Sequence, residues 1–403
     1  MKRILPVIVI SQFFCTSLWF AGNAVMADVA KQFHLEPVYL AYLTSAVQLG
    51  FIAGTLFFAM LGIADKFSPV KVFFVCAMIA AFFNLGICLP GTSPAVLLLF
   101  RGLTGFLLAG IYPVGMKIAS DHYQQGLGKP LGFLVGALVI GTSFPHLLKS
   151  IMATLPWKYV IFSTSALAIS GGLALLLWVP DGPYRKAGSK LNPTALLRGF
   201  RNLQFRSAAF GYFGHMWELY TFWTFVPTIL NNYKKHYRTI DFSTPLLSFL
   251  IIAAGAVACA CSGIIAQYFG ARKTATIALL ISCTCCLISP FALLNSSAIV
   301  LIVFLFTWGM AVITDSPLFS TLVAQNAPQE SKGTSLTIVN CIGFAITIVS
   351  IQLINWLLSD KNGQYIYMLL AIGPVLGLIA LKLDSKSAAP LQYQPTNEFR
   401  PPI

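Results

Sequence analysis

Twelve stretches of this chain stay apolar for the length needed to cross a bilayer, and that recurrence limits the fold more than any other feature. A spanning helix takes about 20 mostly apolar residues. Candidate spans one to twelve fall, in chain order, at 5–26, 41–61, 72–89, 95–118, 130–148, 158–179, 207–230, 246–266, 274–294, 297–322, 334–357 and 364–381. Inside hydrocarbon every backbone N–H and C=O must be paired within its own segment, so runs of this length fold as helices. Only 9% of the 403 residues are charged and 57% are hydrophobic, whereas soluble domains run near 25% charged. The expectation is an all-α integral membrane protein with no room for a soluble domain.

A net charge of +14 would ordinarily raise nucleic acid as a partner, but that needs Lys and Arg clustered on one solvated face. Here the basic residues punctuate apolar runs, so the bilayer is the expected partner and nucleic acid is not. The nine cysteines lie within apolar stretches and read as buried small hydrophobes without a disulfide framework. Lys2-Arg3, an apolar run and Val25-Met26-Ala27 imitate a secretory signal, yet the run has full span length and eleven more follow. With the N-terminus placed inside, the basic residues left outside are Lys31, Lys149, Lys158, Lys234, Lys235, Arg238 and Lys361, while Arg101 falls within a span. All others are inside, so the positive-inside rule puts both termini in the cytoplasm. The expected organisation is a six-span bundle at 1–180, a basic cytoplasmic linker at 181–206, a second bundle at 207–385 and a tail at 386–403.

An internal repeat supports that division. The loop after span two reads Gly62-Ile-Ala-Asp65-Lys66-Phe67-Ser-Pro-Val-Lys71, and the loop after span eight reads Gly263-Ile-Ile-Ala266-Gln267-Tyr-Phe269-Gly270-Ala-Arg272-Lys273. Pro113 in span four and Pro317 in span ten each precede a polar loop with a Gly/Lys pair, Gly128-Lys129 and Lys332-Gly333. These residues resemble the major facilitator superfamily, whose loop signature is G-x-x-x-D-[RK]-x-G-[RK]-[RK]; Ser68 and Gln267 depart from it. Arg101-Gly102-Leu-Thr-Gly105 is similar to the family's R-x-x-x-G motif. The resemblance covers essentially the whole chain. It implies two pseudo-symmetric six-helix bundles, with spans one, four, seven and ten around a central cavity.

Glycine at a helix end permits close helix approach, and a carboxylate beside basic residues can hold one conformation shut by charge-assisted hydrogen bonds. On that ground Gly62, Asp65, Lys66, Lys71, Gly263, Gly270, Arg272 and Lys273 form a candidate inner gate. Asp315, before Pro317, joins it as a neutraliser of Arg272 and Lys273, with cation coordination as its alternative. The plain reading of the loop charges is a solvated surface.

Ionisable side chains at membrane depth cost about 2.5–3.5 kcal/mol on insertion scales, which makes them functional candidates. His215 and Glu218 share a helix face at i, i+3, and an imidazole beside a carboxyl can load and release protons. They are the candidate proton-coupling pair, with Glu218 expected to face the cavity; a static pair is the alternative. Arg101 offers a planar two-pronged donor set for an anionic substrate, a helix-packing role, or, as the resemblance implies, a part in proton transfer. Gln12, Thr16, Trp19 and Asn23 recur along one face of span one. With Gln48 and Asn340, the residues Gln12, Trp19 and Asn23 complete the candidate substrate site beside Arg101.

The functional expectation is a secondary transporter working by alternating access on a small solute, an organic anion or zwitterion first, coupled to protons through Glu218. A proton-driven multidrug or metabolite exporter is the alternative, although span five lacks the proline of the export motif. His236-Tyr-Arg-Thr-Ile-Asp241 fits the His-x-x-x-x-Asp spacing of some membrane acyltransferases, but no nucleophile or metal cluster accompanies it, so an enzyme is not expected. No phosphate-cradling G-x-x-x-x-G-K-[ST] loop is present. The proton gradient is therefore the expected energy source, with no cofactor and no metal. A monomer in a bacterial inner membrane completes the expectation.

Overall fold

The computed structural model describes residues 4–36, 38–123, 128–185, 199–238, 240–328, 332–358 and 363–387. The linker portion 186–198, the tail from 388, Lys2, Arg3 and Lys361 lie outside them. Among the described residues there are helices and no strand, and ten helices are long and apolar enough to cross a membrane.

Span two is Tyr39–Leu61, span three Pro69–Gly86, span five Gly128–Ile151 and span six Lys158–Trp178. Span eight is Thr244–Phe269, span nine Ala271–Leu293 and span eleven Lys332–Leu357. Spans four and ten are each broken once: Pro94–Leu108 then Tyr112–His122, and Ala298–Thr314 then Ser316–Asn326. Pro113 and Pro317 stand at the second position of the segments that follow the breaks. A proline there lacks the donor N–H and its ring crowds the carbonyl four residues back, so the helix restarts rather than continues. Span twelve opens as a 3-10 turn at Ile366–Ala371 and runs on as Ile372–Ser387.

The other two expected spans have their own character. Span one is split into Ile4–Thr16, Ala21–Ala24 and Met26–Phe33. Span seven is a single 34-residue helix, Leu203–His236, whose polar residues lower its hydropathy.

Spans one to six pack mainly among themselves, as do seven to twelve, and the halves meet where span five lies along span eight and span two along span eleven. Within the first half, spans two and four are in backbone contact. A Cβ on Gly50 or Gly54 would collide with the carbonyl of Gly102 or Phe106, and one on Gly105 with that of Val47. On span five, by contrast, Gly132 has open space around it and Gly136 makes only ordinary contact with Ala256.

The loop glycines require another correction. Nothing lies within 4 Å of a Cβ placed on Gly62, Gly263 or Gly270, so none of them serves close helix approach. Gly62 (φ 60°) and Gly270 (φ 83°) instead hold left-handed-side conformations at helix ends, which only glycine adopts without strain. Of the cysteines, all free, eight are buried and Cys261 is exposed.

Candidate functional site

The bundle has a motif end, which carries the Gly62–Ser68 loop and Gly270, and a distal end opposite. At the centre, aromatic rings from both halves stack against one another. Trp19 of span one lies 4.9 Å from Phe51 of span two, and 5.9 and 5.8 Å, stacked, from Tyr220 of span seven and Phe344 of span eleven. Phe51 and Tyr220 each touch Phe344 at 4.6 and 5.2 Å, and Trp223 packs against Tyr220 at 5.3 Å. Phe20 reaches both Tyr220 and Trp223. All six rings are buried. Offset and edge-on aromatic pairs contribute about 0.5–1.5 kcal/mol beyond burial, so this cluster holds the halves together midway along the bundle.

Polar groups without partners lie on the same elements. The side-chain amides of Gln12 and Gln48 and the indole N–H groups of Trp19 and Trp223 are buried and have no hydrogen-bond partner. Gln48 stands one helical turn from Phe51 on span two, on the face that also carries Thr44. Buried polar groups are nearly always satisfied, and orphaned groups beside rings give a solute something to bind.

Span one does not present the single polar face its spacing suggested, because the helix breaks at Ser17–Phe20 and the residues turn to different neighbours. Gln12 lies against Gly115 of span four. Thr16 meets span five at Gly141 and the Ala137 carbonyl. Trp19 enters the central cluster, and Asn23 donates to Thr44 Oγ1 of span two (2.8 Å). Asn340 accepts from the Tyr212 hydroxyl (2.7 Å).

Arg101 is not available to a substrate as its candidate role required. It is fully buried, and its guanidinium donates to the carbonyls of Leu18 (3.1 Å) and Trp19 and to Asn84 Oδ1 (3.4 Å). Those carbonyls are freed by the break in span one, and these contacts are of the kind the helix-packing alternative describes. Asn84 of span three in turn donates to Thr164 Oγ1 (3.2 Å) and Ser165 Oγ (2.9 Å) of span six. Spans three, four and six are thereby tied to the stretch of span one that carries Trp19. Sequence reasoning missed Asn84 altogether.

The expected pairing of His215 with Glu218 is also overturned. Glu218 is fully buried, accepting from Ser282 Oγ of span nine (2.7 Å) and Trp308 Nε1 of span ten (2.6 Å). It faces the interior of the second half, not the central cluster. His215 Nδ1 lies 2.7 Å from Asp315 Oδ1, both side chains being 1% exposed. Two residues three apart on a helix differ by about 60° in direction, enough here to reach different neighbours. Asp315, at the break in span ten, has His215 rather than Arg272 or Lys273 as its ion-pair partner, in a contact whose angles do not make a hydrogen bond.

The described contacts of the remaining gate candidates lie within their own halves. Asp65 pairs with Lys117 at the end of span four (3.0 Å), and Arg185 donates to the Asp65 and Phe67 carbonyls (2.8 and 2.6 Å). Lys66 and Lys71 are exposed. Arg272 donates to the Leu381 carbonyl of span twelve (2.6 Å), and Lys273 lies over the Phe269 ring at 5.8 Å. Between the halves, hydrogen bonds join the distal portions: Gln352 Nε2 donates to Ser45 Oγ (2.8 Å), and the Ser150 and Ser243 hydroxyls lie 3.2 Å apart. His236 and Asp241 do not form the acyltransferase pair, since Asp241 pairs with Lys234 at 2.7 Å. That hydrogen bond holds the Asp241 carboxyl below its usual range.

Two bundles of membrane-crossing helices meeting on a buried central cluster, with breaks repeated at equivalent places, give the chain a two-halved helical membrane architecture. Residues 8–351 match the family model of the Major Facilitator Superfamily, and the chain belongs to that family. It is a multi-pass membrane protein of that family. Among solved structures it resembles the human organic anion transporter MFSD10 (TM-score 0.72, 16% identity, covering 94% of this chain and 99% of that one). It also resembles the nucleoside transporter NupG (TM-score 0.73, 15% identity, 95% and 100%). Such likeness is one of fold.

Two curated relatives are the uncharacterized transporters YgaY of Escherichia coli O157:H7 and BU588 of Buchnera aphidicola. The first is 28% identical over 200 residues, 48% of each chain. The second is 28% identical over 142 residues, 35% of this chain and 34% of that one. The chain thus spans about half or less of the length of these relatives.

Proposed function

We propose that the protein is a proton-coupled carrier working by alternating access, with His215 and Asp315 as the coupling pair. The observation that carries this reading is their 2.7 Å contact at full burial, on two different helices and at the break of one. With one proton between them the pair is neutral overall. Without it a lone carboxylate is left, and an unpaired charge in a low-dielectric interior is costly. The loaded pair therefore tolerates the closed state, and the emptied pair favours opening to water. Coupling then needs only that proton and cargo prefer different states.

The cargo we infer is a small solute with a flat or apolar body and hydrogen-bonding groups. It would insert among Trp19, Tyr220 and Phe344, with the indole N–H of Trp19 and the Gln48 amide as its polar contacts. An organic anion or zwitterion anchored by Arg101 is the weaker reading, because Arg101 is already bonded to carbonyls. The ring lining equally suits export of lipophilic solutes driven by protons. A bacterial inner membrane with both termini cytoplasmic remains the expected setting.

The test uses proteoliposomes loaded with a pH dye and challenged in turn with amino acids, nucleosides, organic acids and lipophilic cations. Wild-type protein should move protons in response to one class, and Trp19→Ala should abolish the response. The sense of proton movement separates uptake from export. Solute transport without any proton movement would sink the coupling, and an undiminished Trp19→Ala response would sink the site.

A further inference from the structure

The second half contains a cavity that neither the central site nor the gates use. It has a volume of 340 Å³ and lies at the distal end between the last turns of span seven, the end of span nine and the start of span twelve. Ligand pockets typically begin near 300 Å³. Lys235 and His236 supply N–H donors at its rim, and Asn232 and Gln364 add amides; Ile229 and Leu293 give it an apolar side. Tyr367, also in its wall, has a buried hydroxyl with no hydrogen-bond partner.

Three features mark the cavity as built. First, its wall is braced: the Tyr233 hydroxyl donates to the Asn295 carbonyl (2.7 Å), that of Tyr237 donates to Leu294, and the two rings pack at 4.7 Å. Second, the charges are divided: Lys234 is neutralised by Asp241 on the loop outside the cavity, while the adjacent Lys235 turns to the cavity. Third, the equivalent space in the first half is filled. There, between spans one, three and six, Val25, Val29, Ile87, Trp157 and Ile161 form an apolar cluster, and Trp157 Nε1 closes it on Gln32 Oε1 (2.9 Å). The fold therefore does not require a hole at this place.

We propose that this cavity binds a small organic anion, a phosphate- or carboxylate-bearing group on a short apolar body, independently of the transported cargo. Ammonium, imidazole and amide donors lining one space together with Ile229 and Leu293 match that chemistry. Every lining residue belongs to the second half, so the cavity keeps its shape when the halves rock. Its level at the helix ends admits two sources of the same chemistry, the headgroup of an anionic lipid and a free solute.

The experiment measures melting of the full-length protein with glycerol phosphate as the probe, against glycerol and sodium chloride at matched ionic strength. It is run in detergent and in nanodiscs of phosphatidylglycerol or phosphatidylcholine, with retained lipid read by native mass spectrometry. A ligand bound only to the folded state raises the melting point by mass action. The expected result is a dose-dependent rise with glycerol phosphate alone, lost in the Lys235→Gln/His236→Gln double variant and in Gln364→Trp, which fills the cavity while leaving its charge.

A rise that persists in phosphatidylglycerol nanodiscs identifies a free solute. Phosphatidylglycerol retained by the wild type and shed by the double variant identifies a lipid, whether or not the probe shifts the melting point. An equal shift in wild type and variants overturns the proposal. So does the absence of any shift together with equal lipid retention.

Discussion

At the scale of single residues, the buried polar side chains divide into those that brace helices and those left to act. Arg101 is a brace. Its removal orphans two buried carbonyls and the Asn84 oxygen, and each such group costs about 1–3 kcal/mol. Arg101→Ala should therefore lower the melting temperature more than Asn340→Ala does, and Arg101→Lys should fail to restore it, because one ammonium cannot span the Leu18 and Trp19 carbonyls together. A melting temperature close to wild type for Arg101→Ala would return Arg101 to the substrate site. Glu218 is a brace as well. Glu218→Gln keeps an oxygen for the Trp308 N–H and offers an amide N–H to Ser282, whose hydroxyl accepts it by turning its own proton toward the Leu279 carbonyl. It should therefore change the melting temperature little and leave proton-driven transport intact, whereas Glu218→Ala strands both donors and should lower stability by about 1–3 kcal/mol for each, measured by thermal unfolding.

At the scale of elements, glycine and proline set where spans touch and where they break. Gly50→Ala should depress folded yield sharply, because its Cβ meets the Gly102 backbone, whereas Gly132→Ala should leave yield unchanged. Size-exclusion profiles of the two variants check this contrast directly. The elements themselves were legible in the sequence: the apolar runs located most spans to within several residues, while Pro113 and Pro317 were legible as an echo between the halves and not as the breaks they mark. The directions of side chains were not. The four-residue spacing of Gln12, Thr16, Trp19 and Asn23 implies one face only if the helix is continuous, and no proline warns of the break at Ser17–Phe20. Likewise, the i, i+3 spacing of His215 and Glu218 says nothing about Asp315, Ser282 or Trp308, which come from helices more than 60 residues away. Phe51 and Phe344 escaped notice because aromatic residues at helical spacing look the same whether they face lipid or a partner half.

At the scale of the whole molecule, the halves are held at the centre by rings and toward the distal end by two weak polar contacts. Hydrogen bonds between neutral side chains contribute about 0.5–1.5 kcal/mol each, small enough for a distal closure that must open. Cysteines at Ser150 and Ser243 should form a disulfide that arrests transport until reductant is added, with Cys261 replaced beforehand; unimpeded transport in the oxidised protein would show that this end does not open.

The central claim is that coupling resides in the His215–Asp315 pair. Its most direct test compares Asp315→Asn with Glu218→Gln in proteoliposomes, measuring pH-gradient-driven accumulation and solute counterflow of the cargo found by the proton screen. The account predicts that Asp315→Asn loses accumulation and keeps counterflow, while Glu218→Gln keeps both. Accumulation that survives Asp315→Asn and fails in Glu218→Gln would contradict it.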